Sequence, residues 1–238
     1  MKDADFSAER PQDAQLMATR AQDALWAALR SGRLRDGQFL SMAQLVDLLE
    51  FPIAAIREAV KQASSHGLLA ALPKRGVQVM EARPETIREC LDFRMALDQE
   101  GARRRIAGHA LDGLGALRAR HVALRDAARA HAAHDMPPEA VETDLSLHDF
   151  LAAGLGNSRL ADSYAANRMR IAIIQNSRPF VPDRIASAME EHLAIIDALA
   201  ARDAAAATEA IRHHCAQTLR WWGVPPVAGA LSSRPEAV

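Results

Sequence analysis

Four side chains in the second half of the sequence could hold a divalent cation. Asp144 and His148, within "DLSLH", stand four residues apart, so on a helix they share one face. Leu151 and Leu155 continue that face as a buried stripe. His192 interrupts an apolar row of Ile185, Met189, Ile196 and Leu199, and His214 falls one turn after Ile211 on the row that starts at Ala207. One carboxylate and three imidazoles thus point inward from three helices, a donor mixture suited to zinc, nickel or manganese. Any one histidine on an apolar face reads as a hydrogen-bonded core residue; the joint placement of all four argues for a metal. His213 competes with His214, and a helical rotation of about 100° per residue argues against it.

Further groups could surround such a centre. Arg94 and Asp98, from "DFRMALDQE", lie four apart in line with Leu91 and Ala102. They read either as contacts for a bound small molecule or as a structural ion pair. Tyr164, Asn167 and Arg168 fall on the inward part of a later helix. His109, His121, His131 and His134 read as solvent-facing, Cys215 as a small buried residue, and Trp221-Trp222 as terminal-helix packing or a dimer contact. A metal with open positions can activate water, which leaves a metal-dependent hydrolase or lyase as an alternative. Against catalysis, no carboxylate outside the ligand set reads as a general base, since Glu191 points off the apolar row.

The elements that must position these residues divide the chain in two. Residues 13–30 have a helical apolar period (Leu16, Met17, Ala21, Leu25, Ala28, Leu29), and "SGRLRDG" breaks it. Ser41 is an N-cap for a short helix through Leu49, and Pro52 fits the first turn of a third that ends at "SHG". "LLAALPKRGVQVM" then reads as a β-hairpin around Pro-Lys-Arg-Gly. Beyond the connector "EARP", helices are expected over about 85–108, 111–134, 138–154, 158–177, 183–202 and 203–222. The predicted fold is therefore mostly α. A winged helix-turn-helix of three helices plus a hairpin (13–80) precedes an all-helical antiparallel bundle of about six helices (85–223).

The totals agree. The chain has 238 residues, 49% of them apolar but only 4% aromatic, a balance that favours packed helices over sheet. No apolar run approaches a membrane span, the first residues "MKDADFSAERPQDAQ" are too polar and acidic for a signal peptide, and Cys90 and Cys215 form no CxxC pair. A reduced, cytoplasmic protein is expected. The net charge of −1 gives nothing for nucleic acid by itself. Within 51–80, however, Arg57, Lys61, Lys74 and Arg75 face Glu58 alone, which allows a local basic surface.

The stretch "ALWAALRSGRLRDGQFL…LVDLLEFPIAAIREAVKQASSHGLLAALPKRGVQV" resembles the winged helix of GntR-family transcription regulators. The remainder resembles the all-helical FCD domain of the FadR-type branch, so that the likeness covers roughly residues 15–222. Its marks are Gly32, Leu34 and Gly37 before the second helix, Ile56-Arg57-Glu58-Ala59-Val60 in the third, His66-Gly67-Leu68 before the wing, and Arg75-Gly76 within it. In the second half, "DLSLH", "EEHLAIIDALAARD" and "AIRHH" match the family's metal-binding elements in order.

The resemblance implies a homodimer on a double-stranded DNA operator, with Arg57, Lys61, Lys74, Arg75 and Gly76 at the DNA. It implies a divalent metal on Asp144, His148, His192 and His214, and a small carboxylate or hydroxy-acid effector held by that metal together with Arg94, Tyr164, Asn167 and Arg168. A direct metal sensor is the remaining alternative. Where the family has Ser-Arg or Thr-Arg at the start of the recognition helix, this chain has Pro52-Ile53; early in the second helix Met42 and Ala43 replace an acidic and a basic residue. Isoleucine offers only apolar contact, for instance to a thymine methyl, where arginine would read guanine.

Overall fold

The computed structural model describes residues 11–130, 140–178 and 182–225. The described residues separate into two compact units, one formed by 11–82 with 172–177, the other by 83–130, 140–171, 178 and 182–225.

In the first unit, helix α1 (Pro11–Arg30) lays Ala21, Leu25, Ala28 and Leu29 against the rest of the core. The strand β1 (Phe39–Leu40) follows, then α2 (Met42–Leu49), α3 (Ile53–Ser65), β2 (Leu69–Leu72) and β3 (Gly76–Val79). Ser41 starts α2 through a reciprocal capping box with Gln44, which satisfies backbone donors that the first helical turn leaves free. Pro52 is the N-cap residue of α3, with non-helical ψ, rather than the first-turn residue the sequence suggests. The shift is one position, and Pro52 still supplies the carbonyl that accepts from the Ile56 amide.

The hairpin β2–β3 is joined by β1 into an antiparallel sheet of order β1-β3-β2. Gly76 has φ of +107°, and a Cβ there would collide with the Leu40 carbonyl oxygen. Only glycine lets β3 leave the wing turn at this angle and still pair with β1. Leu25, Leu29, Leu34, Leu45, Ile56 and Leu68 fill the core beneath the sheet and helices. Residues 172–177 belong here too: the Asn176 amide donates to the carbonyl oxygens of Leu29 and Arg30, which the end of α1 leaves without helical partners.

The second unit is helical: α4 (Pro84–Ala107), α5 (Leu114–Ala130), α6 (Ala140–Ala153), α7 (Ser158–Asn176) as far as Ile171, α8 (Pro182–Ala200) and α9 (Ala204–Trp221). Asn157 caps α7 through the amides of Arg159 and Leu160, and Asp203 caps α9 through Ala205 and Ala206. Helix α8 packs against α5 and α9, α4 against α9 and α6, and α6 also against α5 and α8. Leu147, Leu151, Ile195, Ile196, Leu199 and Ile211 form the main core cluster. Where α4 crosses α6, a Cβ on Gly101 would strike the Leu151 carbonyl oxygen, so the crossing is backbone on backbone. That approach lets Asp98, one turn before Gly101, reach His148, one turn before Leu151. No helix among the described residues is long and apolar enough to cross a membrane.

Candidate metal centre and nucleic-acid interface

The polar residues of the helical unit collect where α4, α6, α8 and α9 meet. His148 from α6, His192 from α8 and His214 from α9 each offer a ring nitrogen, and the three atoms lie within 4.8 Å of one another. The Nε2 atoms of His192 and His214 are 3.2 Å apart, and Asp144 Oδ1 is 3.7 Å from His192 Nε2. All four residues are buried, at 6% exposure or less. His213, by contrast, is exposed, as its 100° offset predicts.

Two of the imidazoles are held from behind by carboxylates. His148 Nδ1 lies 2.7 Å from Asp98 Oδ2, and His214 Nδ1 lies 2.7 Å from Glu191 Oε2. Glu191 is itself fixed by Arg184, whose guanidinium also donates to Thr218 Oγ1. The Thr218 hydroxyl in turn donates to the His214 carbonyl. Such carboxylate partners fix a histidine's tautomer and aim its other nitrogen, which is the support a metal ligand needs. With Nδ1 committed to Asp98, His148 Nε2 has no hydrogen-bond partner among the described residues, although an unsatisfied buried polar atom is costly.

The electrostatics run the same way. Burial, then the charges of Arg94 and His214, hold His148 well below the usual histidine range. Burial with its imidazole neighbours does the same for His192. Burial also lowers His214, with Glu191 pulling partly against it. Neutral imidazoles present lone pairs, the form in which histidine binds metal. Burial pushes Asp98 up to about 7 against the pull of Arg94. Burial raises Glu191 too, but the bonds from His214 and Arg184 outweigh it and leave that carboxyl below its ordinary value. The three nitrogens, the unspent His148 Nε2 among them, and the adjacent carboxylate fit a borderline divalent cation, which would act as a Lewis acid able to take up oxygen donors.

The residues expected to meet an effector separate into two kinds. Arg94 is 4% exposed, and its Nη2 stands 3.5 Å from His214 Nε2. It forms no ion pair with Asp98, which bonds His148 instead. Arg168 is already neutralised, with Nε and Nη2 at 2.6 and 2.8 Å from the two oxygens of Asp149, and the Tyr164 hydroxyl donates to the same carboxylate at 2.8 Å. Burial and the nearby Asp149 charge raise the Tyr164 phenol, so it stays protonated. The Asn167 amide donates to the Cys90 carbonyl at 3.0 Å.

One expectation needs correction. His121 is fully buried, not solvent-facing, and the row Leu114, Leu117, His121, Leu124, Ala128 explains why: its period is that of an inward helical stripe. Glu191 does leave the apolar row of α8, but the face it occupies is covered by α9, whose His214 binds it, while Arg184 from two turns earlier on α8 binds it as well. The seven-residue spacing of Arg184 and Glu191, two turns apart on one face, was the available signal. His109 is exposed as expected, while His131 and His134 lie outside the described residues. Cys215 is buried with its thiol against the Leu91 carbonyl, and Trp221 is half exposed beneath the Arg184 guanidinium.

In the first unit the basic residues are at the surface. Arg57 and Lys61 lie on the exposed side of α3, Lys61 in a loose pair with Glu58 at 3.9 Å. Lys74, with φ of +62°, and Arg75 form the tip of the wing. The Arg75 guanidinium sits 6.0 Å over the ring of Phe39, itself 54% exposed, and Ile53 at the start of α3 is 40% exposed.

Comparison with known proteins bears on both units. Residues 89–217 match the model of the FCD domain. The fold is similar to E. coli McbR/YncC, at 17% identity over 87% of this chain and 97% of that one, with a TM-score of 0.71. It is also similar to a putative GntR transcriptional regulator from Rhodococcus sp. RHA1, at 21% identity over 88% and 99% of the two chains, with a TM-score of 0.66. No curated protein matches the sequence. The chain belongs to the FCD-domain family, and its fold is shared with these two proteins.

Proposed function

We propose that the protein is a metabolite-responsive DNA-binding regulator whose helical unit holds a divalent cation on Asp144, His148, His192 and His214, and uses that cation to bind a small carboxylate or hydroxy acid. The observation that carries the effector reading is Arg94. It is a buried guanidinium, with no carboxylate in ion-pair contact among the described residues, directed at the Nε2 face of His214. A buried charge needs a counter-charge, and an acid bound to the metal would bring one. Arg168 contributes through Asp149 and Tyr164 as a shaped wall rather than as a free cation, and Asn167 braces α4.

A dimer would place two α3 helices in successive major grooves of a two-fold operator, with Arg57, Lys61, Lys74, Arg75 and the Gly76 backbone at the phosphates and base edges. Effector binding would then alter operator affinity as a coupling between two sites. Catalysis is disfavoured by the commitments of the neighbouring carboxylates. Asp98 serves His148, Glu191 serves His214 and Arg184, and Asp149 serves Tyr164 and Arg168, which leaves none of the three poised as a base.

Binding to DNA upstream of the protein's own gene, measured against salt, tests the first half. The log of affinity should fall linearly with the log of salt concentration, and salt-insensitive or absent binding would refute it. A thermal-shift screen of small carboxylic acids, with zinc present and after chelation, tests the second. Stabilisation should require both zinc and Arg94, and should vanish in Arg94→Gln. If zinc alone changes operator affinity and no acid adds to it, the protein is a metal sensor.

A further inference from the structure

The three imidazoles of the centre are not supported alike. Asp98 takes the Nδ1 side of His148 and Glu191 that of His214, but His192 Nδ1 has no hydrogen-bond partner among the described residues. Its Nε2 is the atom that faces His214 and Asp144. When that nitrogen donates its lone pair to a cation, the proton of the neutral ring must sit on Nδ1. A buried N–H of that kind requires an acceptor.

One acceptor of the right kind stands beside it. His121 of α5 is fully buried, and its Nδ1 lies 2.8 Å from the carbonyl oxygen of Leu117, which can only accept. The His121 proton is therefore on Nδ1, and its Nε2 carries a free lone pair with no partner among the described residues. The rings of His121 and His192 have centroids 5.3 Å apart and planes inclined at 50°. With the rings this close, a direct Nδ1–H···Nε2 bond or one bridging water would satisfy both atoms. The two orphaned atoms are complementary, one obliged to donate and the other able only to accept.

We propose that His121 is a positioning residue for the metal centre: it accepts the Nδ1 proton of His192 and so aims the Nε2 lone pair of His192 at the cation. This rests on the metal reading given above. The Leu117 carbonyl sets the tautomer of His121, His121 sets that of His192, and His192 ligates. The third imidazole is thus held by a neutral acceptor, whereas the other two are held by carboxylates. His192 is therefore the least basic of the three donors.

The test compares wild type with His121→Leu, which removes the acceptor, and His121→Gln, whose side-chain oxygen reaches the place of Nε2. Zinc affinity is read by competition with a chromogenic chelator, and the His192 Nδ1–H by ¹⁵N-edited NMR, assigned by its loss in His192→Gln. His121→Leu should weaken zinc by about 10–100-fold, the usual cost of an outer-shell partner, and should abolish the slowly exchanging His192 Nδ1–H signal. His121→Gln should recover most of both. Melting of the metal-free variants checks folding, and His121→Met replaces His121→Leu if the latter does not fold.

Wild-type affinity together with a wild-type His192 signal in the acceptor-less variant would overturn the proposal. So would X-ray absorption showing one imidazole fewer on the zinc of His121→Leu, which would make His121 a ligand. If wild type itself binds no zinc, the metal reading has failed. The ¹⁵N shifts of the metal-free protein then separate the two: a His192 proton on Nε2, where it can donate to His214, overturns the His121 contact as well, and one on Nδ1 that moves in His121→Leu sustains it.

Discussion

The two units of this chain advertise function in opposite ways. In the winged helix, the residues proposed to meet DNA are exposed and make few contacts: Arg57 and Lys74 stand in water, Arg75 lies over Phe39, and Lys61 has only a loose ion pair. In the helical unit every candidate ligand is buried, and the anomalies are atoms left without partners, such as His148 Nε2 and His192 Nδ1. A surface that binds a polyanion needs only charge and reach, so it leaves little trace in the free structure. A site that binds a cation inside a core must store its donors at a cost, and the cost is visible.

That contrast can be broken by mutation, with the largest effect at a ligand. His192→Ala should reduce zinc affinity beyond the roughly 100-fold that bounds outer-shell losses, while apo binding to operator DNA changes little. Chelator competition and gel shift read the two sides. Glu191→Gln should cost about 10–100-fold in zinc affinity through His214. An unchanged affinity would show that the Arg184–Glu191–His214 chain is only structural.

In the other unit, Gly76→Ala forces a positive φ and a clash with Leu40 into the wing. It should destabilise the winged helix by about 1–3 kcal/mol, seen as faster amide exchange in β1 and β3, with zinc binding retained. Ile53→Arg should change operator preference by about 1–3 kcal/mol at one base pair. Selection from an operator library checks this, and an unaltered consensus would mean that the start of α3 does not read bases.

The smallest expected effect is on pH. His121, His148, His192 and His214 are all lowered by burial. Below about 6.5 the unfolded chain therefore binds more protons at these sites, and their contribution to stability is lost as pH falls. Asp98, raised to about 7, works in the opposite sense between that value and the ordinary carboxylate range, but it is one group against four. The melting temperature of the metal-free protein should decline from pH 7 to pH 5, and the decline should be shallower in His121→Leu.

Much of this was legible in the sequence, for a physical reason. Asp144 and His148, His192, and His214 each sit on an apolar row of helical period, and the period alone turns them inward. Caps at Ser41 and Asn157 were equally readable, because capping is local chemistry. The two-residue strand β1 was not, since it exists only by pairing with β3 some forty residues on. Glu191 was missed because its burial is conferred by α9, not by its own helix. His121 is buried because its place between Leu117 and Leu124 on an inward row outweighs the usual exposure of a helical histidine.

The crossing of α4 over α6 has a consequence for stiffness. Gly101 sets backbone against backbone there, with no side chain between them to compress or rotate. The closest approach of the two helices is thus set by hard contact, one turn away from the Asp98–His148 bond. A displacement that parts these helices is felt at the imidazole before any rotamer can absorb it. Glycine here touches no ligand, yet it works as the rigid frame of a gauge.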